Sequence, residues 1–201
     1  MDTVQIVILA VVGYLLGSIN SAIIVSKVFM GYDIRTKGSG NAGLTNSLRC
    51  MGAKPTLGVL AGDILKTVIA CVIGRMMIGP FGALIAGSFA IIGHMFPLYF
   101  RFKGGKGILS GVTMIFVFDW RIAAILCVVF FILVAATRWV SLGSIVGAAL
   151  FPILTWCFWH EINMTVIAFV MAAAVIYMHR SNIGRLLNGT ENKFSLHSSK
   201  K

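Results

Sequence analysis

Three short polar clusters interrupt an otherwise apolar chain and hold most of the side chains suited to chemistry. We name them the first cluster (37–43), the second cluster (94–107) and the third cluster (179–185). They pool amides, imidazoles, cations and small residues, while carboxylates are nearly absent. Backbone N–H groups that glycine leaves accessible, together with fixed positive charge, are what holds a phosphate in a protein. The clusters therefore predict a phosphate-handling site.

The rest of the chain is too apolar for a soluble protein. Of its 201 residues, 58% are hydrophobic and 11% are charged, whereas a soluble domain has about 25% charged residues. This composition predicts a multi-span membrane protein. The net charge of +11 favours anionic lipid headgroups over nucleic acid as a partner, because the cations form no run and no soluble basic face.

Seven apolar segments come near the roughly 20 residues that a membrane-spanning helix needs. They are 4–27, 55–78, 80–99, 107–118, 121–137, 142–159 and 162–178. Because 107–118 is short, the pattern allows five to seven spans, and we take seven. Backbone polar groups must be paired inside lipid, so the spans are expected to be helices. We expect one all-α integral membrane domain over 1–201.

The distribution of cations sets the expected orientation. With seven spans, the loops and tail on one side of the membrane carry Arg35, Lys37, Arg49, Lys54, Arg101, Lys103, Lys106, Arg138, Arg180, Arg185, Lys193, Lys200 and Lys201. The other side carries Arg75 and Arg121. Because positive loops stay in the cytoplasm, the N-terminus is expected outside and the C-terminus inside. All three clusters then share the cytoplasmic face.

The first cluster contains the spacing Gly38-x-Gly40-x-x-Gly43. This spacing matches the dinucleotide-binding fingerprint, but that fingerprint needs a preceding strand, and an apolar membrane segment precedes it here. What remains is the ability of glycine to turn the backbone and aim N–H groups at an anion. The candidate groups in and after this cluster are Ser39, Gly40, Asn41, Asn46 and Arg49. The alternative is a structural re-entrant loop followed by a capped helix.

The second cluster places Lys103 and Lys106 around Gly104 and Gly105, immediately before an apolar segment. A helix that begins there adds its own preference for an anion. The alternative is an ordinary positive loop. His94 lies late in an apolar segment, where a lone histidine is more often a hydrogen-bonded packing residue than a catalyst.

In the third cluster, a helix would place His179 and Asn182 on one face and keep Arg180 off it. An interfacial amphipathic tail is the alternative. Glu191 is expected to pair locally with a cation, in a structural role. Within a span, Asp63 and Lys66 stand three residues apart and are expected to pair with each other or with a partner near the cytoplasmic third of the span. A structural ion pair is at least as much expected as a functional one.

Three stretches carry a resemblance to a known family. They are Ser39-Gly40-Asn41-Ala42-Gly43-x-x-Asn46, Gly93-His94-x-x-Pro97 running to Phe102-Lys103-Gly104-Gly105-Lys106-Gly107, and His179-Arg180-x-Asn182-Ile183-x-Arg185-Leu186. In content, order and spacing they resemble the three signature motifs of the PlsY family, the bacterial acyl-phosphate:glycerol-3-phosphate acyltransferases. The resemblance covers essentially the whole chain.

The resemblance implies an activity and roles for individual residues. The activity is transfer of a fatty acyl group from acyl phosphate to the 1-position of sn-glycerol 3-phosphate, giving lysophosphatidic acid and phosphate at the start of phospholipid synthesis. Catalytic roles fall to Ser39, His179 and Asn182. Substrate binding falls to Gly40, Asn41, Asn46, Arg49, His94, Lys103, Gly104, Gly105, Lys106, Arg180 and Arg185. Supporting roles fall to Glu191, Asp63 and Lys66. The implied location is the bacterial cytoplasmic (inner) membrane, with the site on its cytoplasmic side.

The residues themselves favour direct attack on the acyl donor. The His-x4-Asp mechanism of other glycerolipid acyltransferases is excluded, because Tyr99, Thr165 and Gly184 stand five residues after His94, His160 and His179. An acyl phosphate already carries a good leaving group, so positioning and anion stabilisation suffice. A nucleophilic Ser39 is the rival. No metal and no cofactor is predicted, and a membrane transporter of organic phosphates is the alternative of a different class.

Overall fold

The structure is a computed structural model that describes residues 2–194, and it is helical without strands over that range, which confirms the predicted all-α class. Its α-helices are α1 (Thr3–Gly17), α2 (Ser21–Met30), α3 (Leu44–Met51), α4 (Ala53–Met95), α5 (Ile108–Phe118), α6 (Trp120–Thr137), α7 (Val140–Trp159), α8 (Ile162–Met178) and α9 (Arg180–Leu187). Short 3₁₀ turns lie at Ile34–Thr36 and Leu98–Phe100. Lys200 and Lys201 lie outside the described residues.

The chain divides into two compact units. Unit 1 is Met1–Phe118 and contains the first two clusters, and unit 2 is Asp119–Lys201 and contains the third. Each unit is built from helices that follow one another along the chain.

The first apolar segment, expected as one span over 4–27, is two helices. α1 ends at Gly17, and the side chain of Asn20 caps α2 by accepting a hydrogen bond from the N–H of Ile23 (3.1 Å). The hydroxyl of Ser18 donates to the carbonyl of Tyr14 (2.8 Å). The side chain of Asn20 pairs a backbone N–H that the break would otherwise leave open, so an apolar segment can be interrupted here.

α4 is a helical hairpin. Its backbone leaves helical geometry at Ile78 (φ −140°, ψ 31°) and Gly79 (φ 69°, ψ −154°). The chain then reverses direction and packs against itself. This is shown by the close approach of Gly74 to Gly82, where a Cβ on Gly74 would overlap the carbonyl of Gly82. Gly79 makes the tight reversal possible, since its positive φ is one that other residues rarely accept. The expected boundary between segments 55–78 and 80–99 lies at this break.

The second half of α4 packs closely against α1. A Cβ on Gly13 would overlap the carbonyl of Ala86, and a Cβ on Gly17 would overlap that of Ala90. Small residues let two helix backbones touch, which is the usual basis of helix association in a membrane. This packing brings the α1–α2 break beside the end of α4, where His94 lies.

Over its described residues, 119–194, unit 2 consists of three apolar helices and the short α9. α9 is bent by 60° from α8, and the N–H of Phe194 donates to the carbonyl of Arg138 (2.7 Å), which ties the segment after α9 to the start of α7. At the other end of the unit, Asp119 caps α6 and accepts a hydrogen bond from Nε1 of Trp159 (3.0 Å). The two ends of α7 are therefore anchored by polar contacts.

Among residues 2–194, four helical stretches are long and apolar enough to cross a membrane: Thr3–Met30, Ala53–Phe100, Trp120–Thr137 and Val140–Trp159. A fifth results if the bent pair Ile162–Met178 and Arg180–Leu187 is one span. α5 has 11 residues, and such a helix is about 16 Å long against a hydrocarbon core of about 30 Å. A helical protein of membrane type is confirmed, while seven spans and their orientation stay predictions.

Candidate active site

The first cluster is a loop organised around the side chain of Asn46, which is buried in the first turn of α3. Its Oδ1 accepts a hydrogen bond from the N–H of Ser39 (2.9 Å). Its Nδ2 donates to the carbonyls of Lys37 (3.1 Å) and Asn41 (3.0 Å), with that of Ile34 at 3.4 Å. One amide therefore holds both sides of the loop. Asn46, predicted as a substrate-binding residue, is the residue that shapes it.

The loop leaves the side chains of Ser39 and Arg49 exposed. Ser39 stands between Gly38 and Gly40, whose φ values of +56° and +73° lie in the left-handed region that glycine enters without strain. A Cβ on Gly38 would also overlap Oδ1 of Asn46. The backbone N–H of Ser39 is engaged by that same oxygen, so it is the hydroxyl of Ser39 that is accessible to a substrate.

The second cluster turns back onto the end of α4. The N–H of Gly104 donates to the carbonyl of Met95 (3.1 Å), and the N–H of Gly105 donates to that of His94 (3.1 Å). Gly104 and Gly105 were predicted as substrate-binding residues, and in the structure their amides pair with carbonyls that a helix end leaves open. A Cβ on Gly105 would overlap Nε2 of His94. The glycines are therefore required for close approach to the histidine, and substrate binding by Lys103, Gly104, Gly105 and Lys106 stays a prediction.

An arginine that sequence reasoning missed ties the segment before the first cluster to the second cluster. Nη1 of Arg35 donates to the carbonyls of Phe100 (2.8 Å) and Lys103 (3.0 Å). The guanidinium is held in turn by Asp33, with Nε–Oδ1 at 2.9 Å and Nη2–Oδ2 at 2.7 Å. The hydrogen bond from Arg35 lowers the pKa of Asp33 to about 2. The Asp33-x-Arg35 pair was visible in the sequence, but its partners lie more than sixty residues away.

Asp63, Lys66 and His94 form a buried polar group, which we call the Lys66 centre. Lys66 Nζ lies 2.8 Å from Asp63 Oδ1, so the predicted ion pair is confirmed. The same Nζ lies 3.0 Å from Nδ1 of His94. His94 was predicted as a substrate-binding residue, and the structure places its ring among protein groups, 3% exposed.

In the third cluster, His179 occupies the bend between α8 and α9. Its Nδ1 lies 2.8 Å from the carbonyl of Val175, one turn earlier in α8. A carbonyl only accepts hydrogen bonds, so Nδ1 carries the proton, and Nε2 is the basic nitrogen of the neutral ring. The helix bend therefore sets both the orientation and the tautomer of His179.

Glu191 gathers the polar side chains of α7 and α9. Its Oε1 accepts from Nδ2 of Asn182 (2.6 Å) and from the hydroxyl of Ser141 (2.9 Å), and its Oε2 accepts from Nε of Arg185 (2.7 Å). Burial raises the pKa of Glu191, but the hydrogen bonds from Asn182, Ser141 and Arg185 outweigh it, and the net pKa is lowered. The predicted local pairing of Glu191 with a cation is confirmed, and Ser141 is a partner that sequence reasoning missed.

The contribution of Glu191 to stability is expected to vanish in acid. Because its folded-state pKa is lowered, the contribution is fully present above the unfolded pKa of about 4.3 and is lost as pH falls through the folded value. The melting temperature of wild type is therefore expected to exceed that of Glu191→Gln at pH 7, with a gap that closes as the pH falls through the lowered folded-state pKa of Glu191. A gap of the same size at every pH would contradict this.

Each unit thus brings together part of the predicted site. Unit 1 joins the first and second clusters through Arg35 and through the Lys66 centre. Unit 2 joins Asn182, Arg185 and Glu191, while Arg180 is exposed and lies over the ring of Tyr177, 4.5 Å from its centroid. A single composite site from all three clusters stays a prediction.

Comparison with known proteins finds relatives over almost the full length. A family model described as glycerol-3-phosphate acyltransferase matches residues 7–189. The glycerol-3-phosphate acyltransferase of Thermoanaerobacter sp. (strain X514) is 42% identical over 187 residues, which cover 93% of this chain and 94% of that protein. That of Bacillus subtilis (strain 168) is 38% identical over 188 residues, covering 94% and 97%.

Two crystal structures of PlsY (YgiH), an integral membrane glycerol 3-phosphate acyltransferase, are similar in fold. The glycerol 3-phosphate form has a TM-score of 0.88 at 34% identity and covers 94% of this chain and 96% of that one. The lysophosphatidic acid form has a TM-score of 0.84 at 32% identity and covers 94% and 95%. The family model's match over residues 7–189 includes all three clusters.

Proposed function

The chain belongs to the glycerol-3-phosphate acyltransferase family and is a membrane acyltransferase, and on this premise we propose that its acyl donor is an acyl phosphate. The proposed reaction forms an ester bond between the acyl carbon and the 1-hydroxyl oxygen of sn-glycerol 3-phosphate. The bond between the acyl carbon and the phosphate oxygen breaks, and inorganic phosphate leaves with the electron pair. The other product is lysophosphatidic acid, the molecule that names one form of the similar PlsY structure.

The observation that carries the proposed mechanism is the orientation of His179. Its Nδ1–H donates to the carbonyl of Val175 (2.8 Å), which makes Nε2 the basic nitrogen. A neutral imidazole with a defined basic nitrogen is suited to take the proton of the attacking hydroxyl, or to pass it to a substrate phosphate. The attack then needs no acyl-enzyme, and Ser39 and Asn182 hydrogen-bond the reacting groups.

In this mechanism the exposed cations hold the two substrate phosphates. Lys103 and Arg49 are exposed and Lys106 is half-buried at the start of α5, and an ammonium or guanidinium group binds phosphate oxygens strongly. Gly40 and Asn41 keep the Ser39 loop open towards the substrate. Arg180 adds positive charge at the third cluster, and Arg185 acts through Glu191.

Glu191 supports the reaction by orienting Asn182. The carboxylate accepts the Nδ2–H of Asn182 at 2.6 Å and is itself held by Ser141 and Arg185. An amide with one end fixed in this way presents its carbonyl oxygen in a defined direction. Glu191 is therefore a positioning residue in this proposal, and the proton acceptor is His179.

We further propose that residues 1–201 act as one domain with seven crossings in the bacterial inner membrane. A straight helix of the 43 residues in α4 would be about 65 Å long, twice the hydrocarbon core, so its two halves serve as separate spans. The short α5 crosses at a place where the bilayer is locally thinner, because a hydrophobic segment shorter than the hydrocarbon core is accommodated by thinning. Lys106 and Asp119 are the polar residues that flank its two ends. The excess of cations on one side supports an outside N-terminus and cytoplasmic clusters.

The deciding experiment uses the full chain purified in detergent. With a long-chain acyl phosphate and glycerol 3-phosphate, we expect release of phosphate and formation of lysophosphatidic acid in equal amounts. With an acyl thioester as donor, no product is expected. Absence of both products would overturn the proposal that acyl phosphate is the donor, and a labelled acyl-Ser39 adduct without acceptor would overturn direct attack.

Loss of the Arg35 contact is expected to weaken binding of glycerol 3-phosphate. In Arg35→Met the carbonyls of Phe100 and Lys103 lose their donor, so the loop that carries Lys103 is less ordered. We expect KM for glycerol 3-phosphate to rise about tenfold, equivalent to about 1.4 kcal/mol, with kcat within about twofold. Lys54→Met removes an exposed cation of the same unit and should leave both constants unchanged. Equal KM values in the two variants would contradict a role for the Arg35 contact.

A further inference from the structure

The ammonium group of Lys66 contacts three acceptors inside unit 1. Its Nζ lies 2.8 Å from Asp63 Oδ1, 2.8 Å from the carbonyl of Ile19 and 3.0 Å from His94 Nδ1. A lysine ammonium has three N–H donors and no acceptor. The ammonium group therefore donates to the carbonyl of Ile19 and to Nδ1 of His94, which is the accepting atom, and it forms an ion pair with Asp63.

This contact sets the tautomer of His94. A ring whose Nδ1 accepts a hydrogen bond carries its proton on Nε2 when it is neutral. Asp63 Oδ1 is 3.6 Å from Nδ1, which is longer than a hydrogen bond. The carboxylate therefore compensates the charge of Lys66, and Lys66 determines which way the imidazole donates.

The donating edge of His94 faces the point where the first and second clusters meet. A Cβ on Gly105 would overlap Nε2 of His94 and would lie 2.7 Å from the carbonyl of Ala42. The same carbonyl lies 3.5 Å from Nδ2 of Asn20 in the α1–α2 break. The side chains of Asn20 and His94 thus surround the contact between Ala42 of the first cluster and Gly105 of the second.

We propose that Lys66, compensated by Asp63, is a positioning residue for glycerol 3-phosphate, and this rests on the proposed function. It holds His94 with Nε2–H directed at the Ala42–Gly105 contact. In this way it fixes the relative position of the first cluster, which carries Ser39, and the second cluster, which carries Lys106. Ile19, at the break that separates α1 from α2, supplies the third acceptor for its ammonium group. The break in the first apolar segment therefore helps to position Lys66, because the carbonyl of Ile19 at the break accepts a hydrogen bond from its ammonium group.

A purely structural ion pair would behave differently on double replacement. Removing one buried charge leaves its partner uncompensated and is strongly destabilising, whereas replacing both with apolar residues is often neutral. If the pair served folding alone, Asp63→Leu/Lys66→Met would be stable and fully active. If Lys66 also sets the tautomer and orientation of the His94 ring, the double variant is stable but binds glycerol 3-phosphate poorly.

The test compares the wild type, Asp63→Leu/Lys66→Met, His94→Gln and His94→Asn in the phosphate-release assay, with melting temperatures for each. For the double variant we expect a melting temperature near that of wild type, KM for glycerol 3-phosphate raised about tenfold and kcat within about twofold. A glutamine amide can donate from the position of Nε2, whereas asparagine ends at that of Nδ1. His94→Asn is therefore expected to have a KM at least about fivefold above that of His94→Gln.

The outcomes separate the two proposals. An inactive wild type would overturn the proposed function itself. An active wild type together with a wild-type KM in the double variant would overturn the positioning role alone. If the double variant does not fold, the histidine pair decides: equal KM values for His94→Gln and His94→Asn would overturn the role, and the expected order would support it.

Discussion

Replacing His179 with alanine is expected to lower kcat by about 10²- to 10⁴-fold, the range typical of a lost general base. The ring is buried and aligned by the carbonyl of Val175, so no other group of α8 or α9 takes over its position. KM for glycerol 3-phosphate is expected to change little, because the proposed phosphate contacts come from other residues. Steady-state phosphate release across a range of glycerol 3-phosphate concentrations measures both constants.

A second histidine of unit 2 provides the matched control. His160 follows α7, is exposed and has a φ of 51°, a conformation in which asparagine is well tolerated. His160→Asn should therefore keep wild-type kcat and melting temperature. Retention of most of the wild-type kcat by His179→Ala would remove His179 from the mechanism.

Replacing Asn46 with aspartate is expected to abolish most activity by opening the first cluster. The aspartate would place an acceptor in contact with the carbonyls of Lys37 and Asn41, where the wild-type Nδ2 donates at 3.1 Å and 3.0 Å. Buried acceptors left without donors cost about 1–3 kcal/mol each. Two such losses reduce the population of the ordered loop by about a hundredfold or more. We expect kcat/KM to fall by that factor in the same assay.

The measurement includes the helical content and melting temperature of Asn46→Asp, which separate a local loop defect from global unfolding. Asn188→Ala, at an exposed position after α9, removes an amide without touching the loop and should behave as wild type. If Asn46→Asp were fully active, the loop would not depend on the Asn46 amide as the structure indicates.

The hydropathy pattern predicted the helical hairpin of α4 but not the break after α1. The apolar pattern separated 55–78 from 80–99, and the helix breaks at Ile78 and Gly79, because Gly79-Pro80 is a local signal for a turn. The break after α1 was missed, since Ser18 and Asn20 stand in a stretch that is otherwise apolar. Its stability comes from the hydrogen bonds that these side chains make to the backbone, and composition alone does not reveal them.

The second cluster shows a role that residue type alone does not reveal. Gly104 and Gly105 were predicted to bind substrate, and the structure pairs their amides with the carbonyls of Met95 and His94. Glycine is used there because a Cβ on Gly105 would collide with the His94 ring. Glycine occurs both where chain segments pack closely and where backbone amides bind an anion. Its presence in the sequence therefore does not distinguish the two roles.

The helical membrane class, the family and the three clusters follow from the order of amino acids, because composition, hydropathy and motif spacing can be read along the chain. Which polar groups of the clusters are hydrogen-bonded, and to what, depends on the folded structure. In the folded protein, the Asn46 amide hydrogen-bonds the loop of the first cluster, and Arg35 donates to carbonyls of the second cluster. Lys66 hydrogen-bonds His94, and Glu191 accepts a hydrogen bond from Asn182. Each of these is a hydrogen bond whose partners are chosen by the packing of helices and loops, and distance along the chain does not encode that choice.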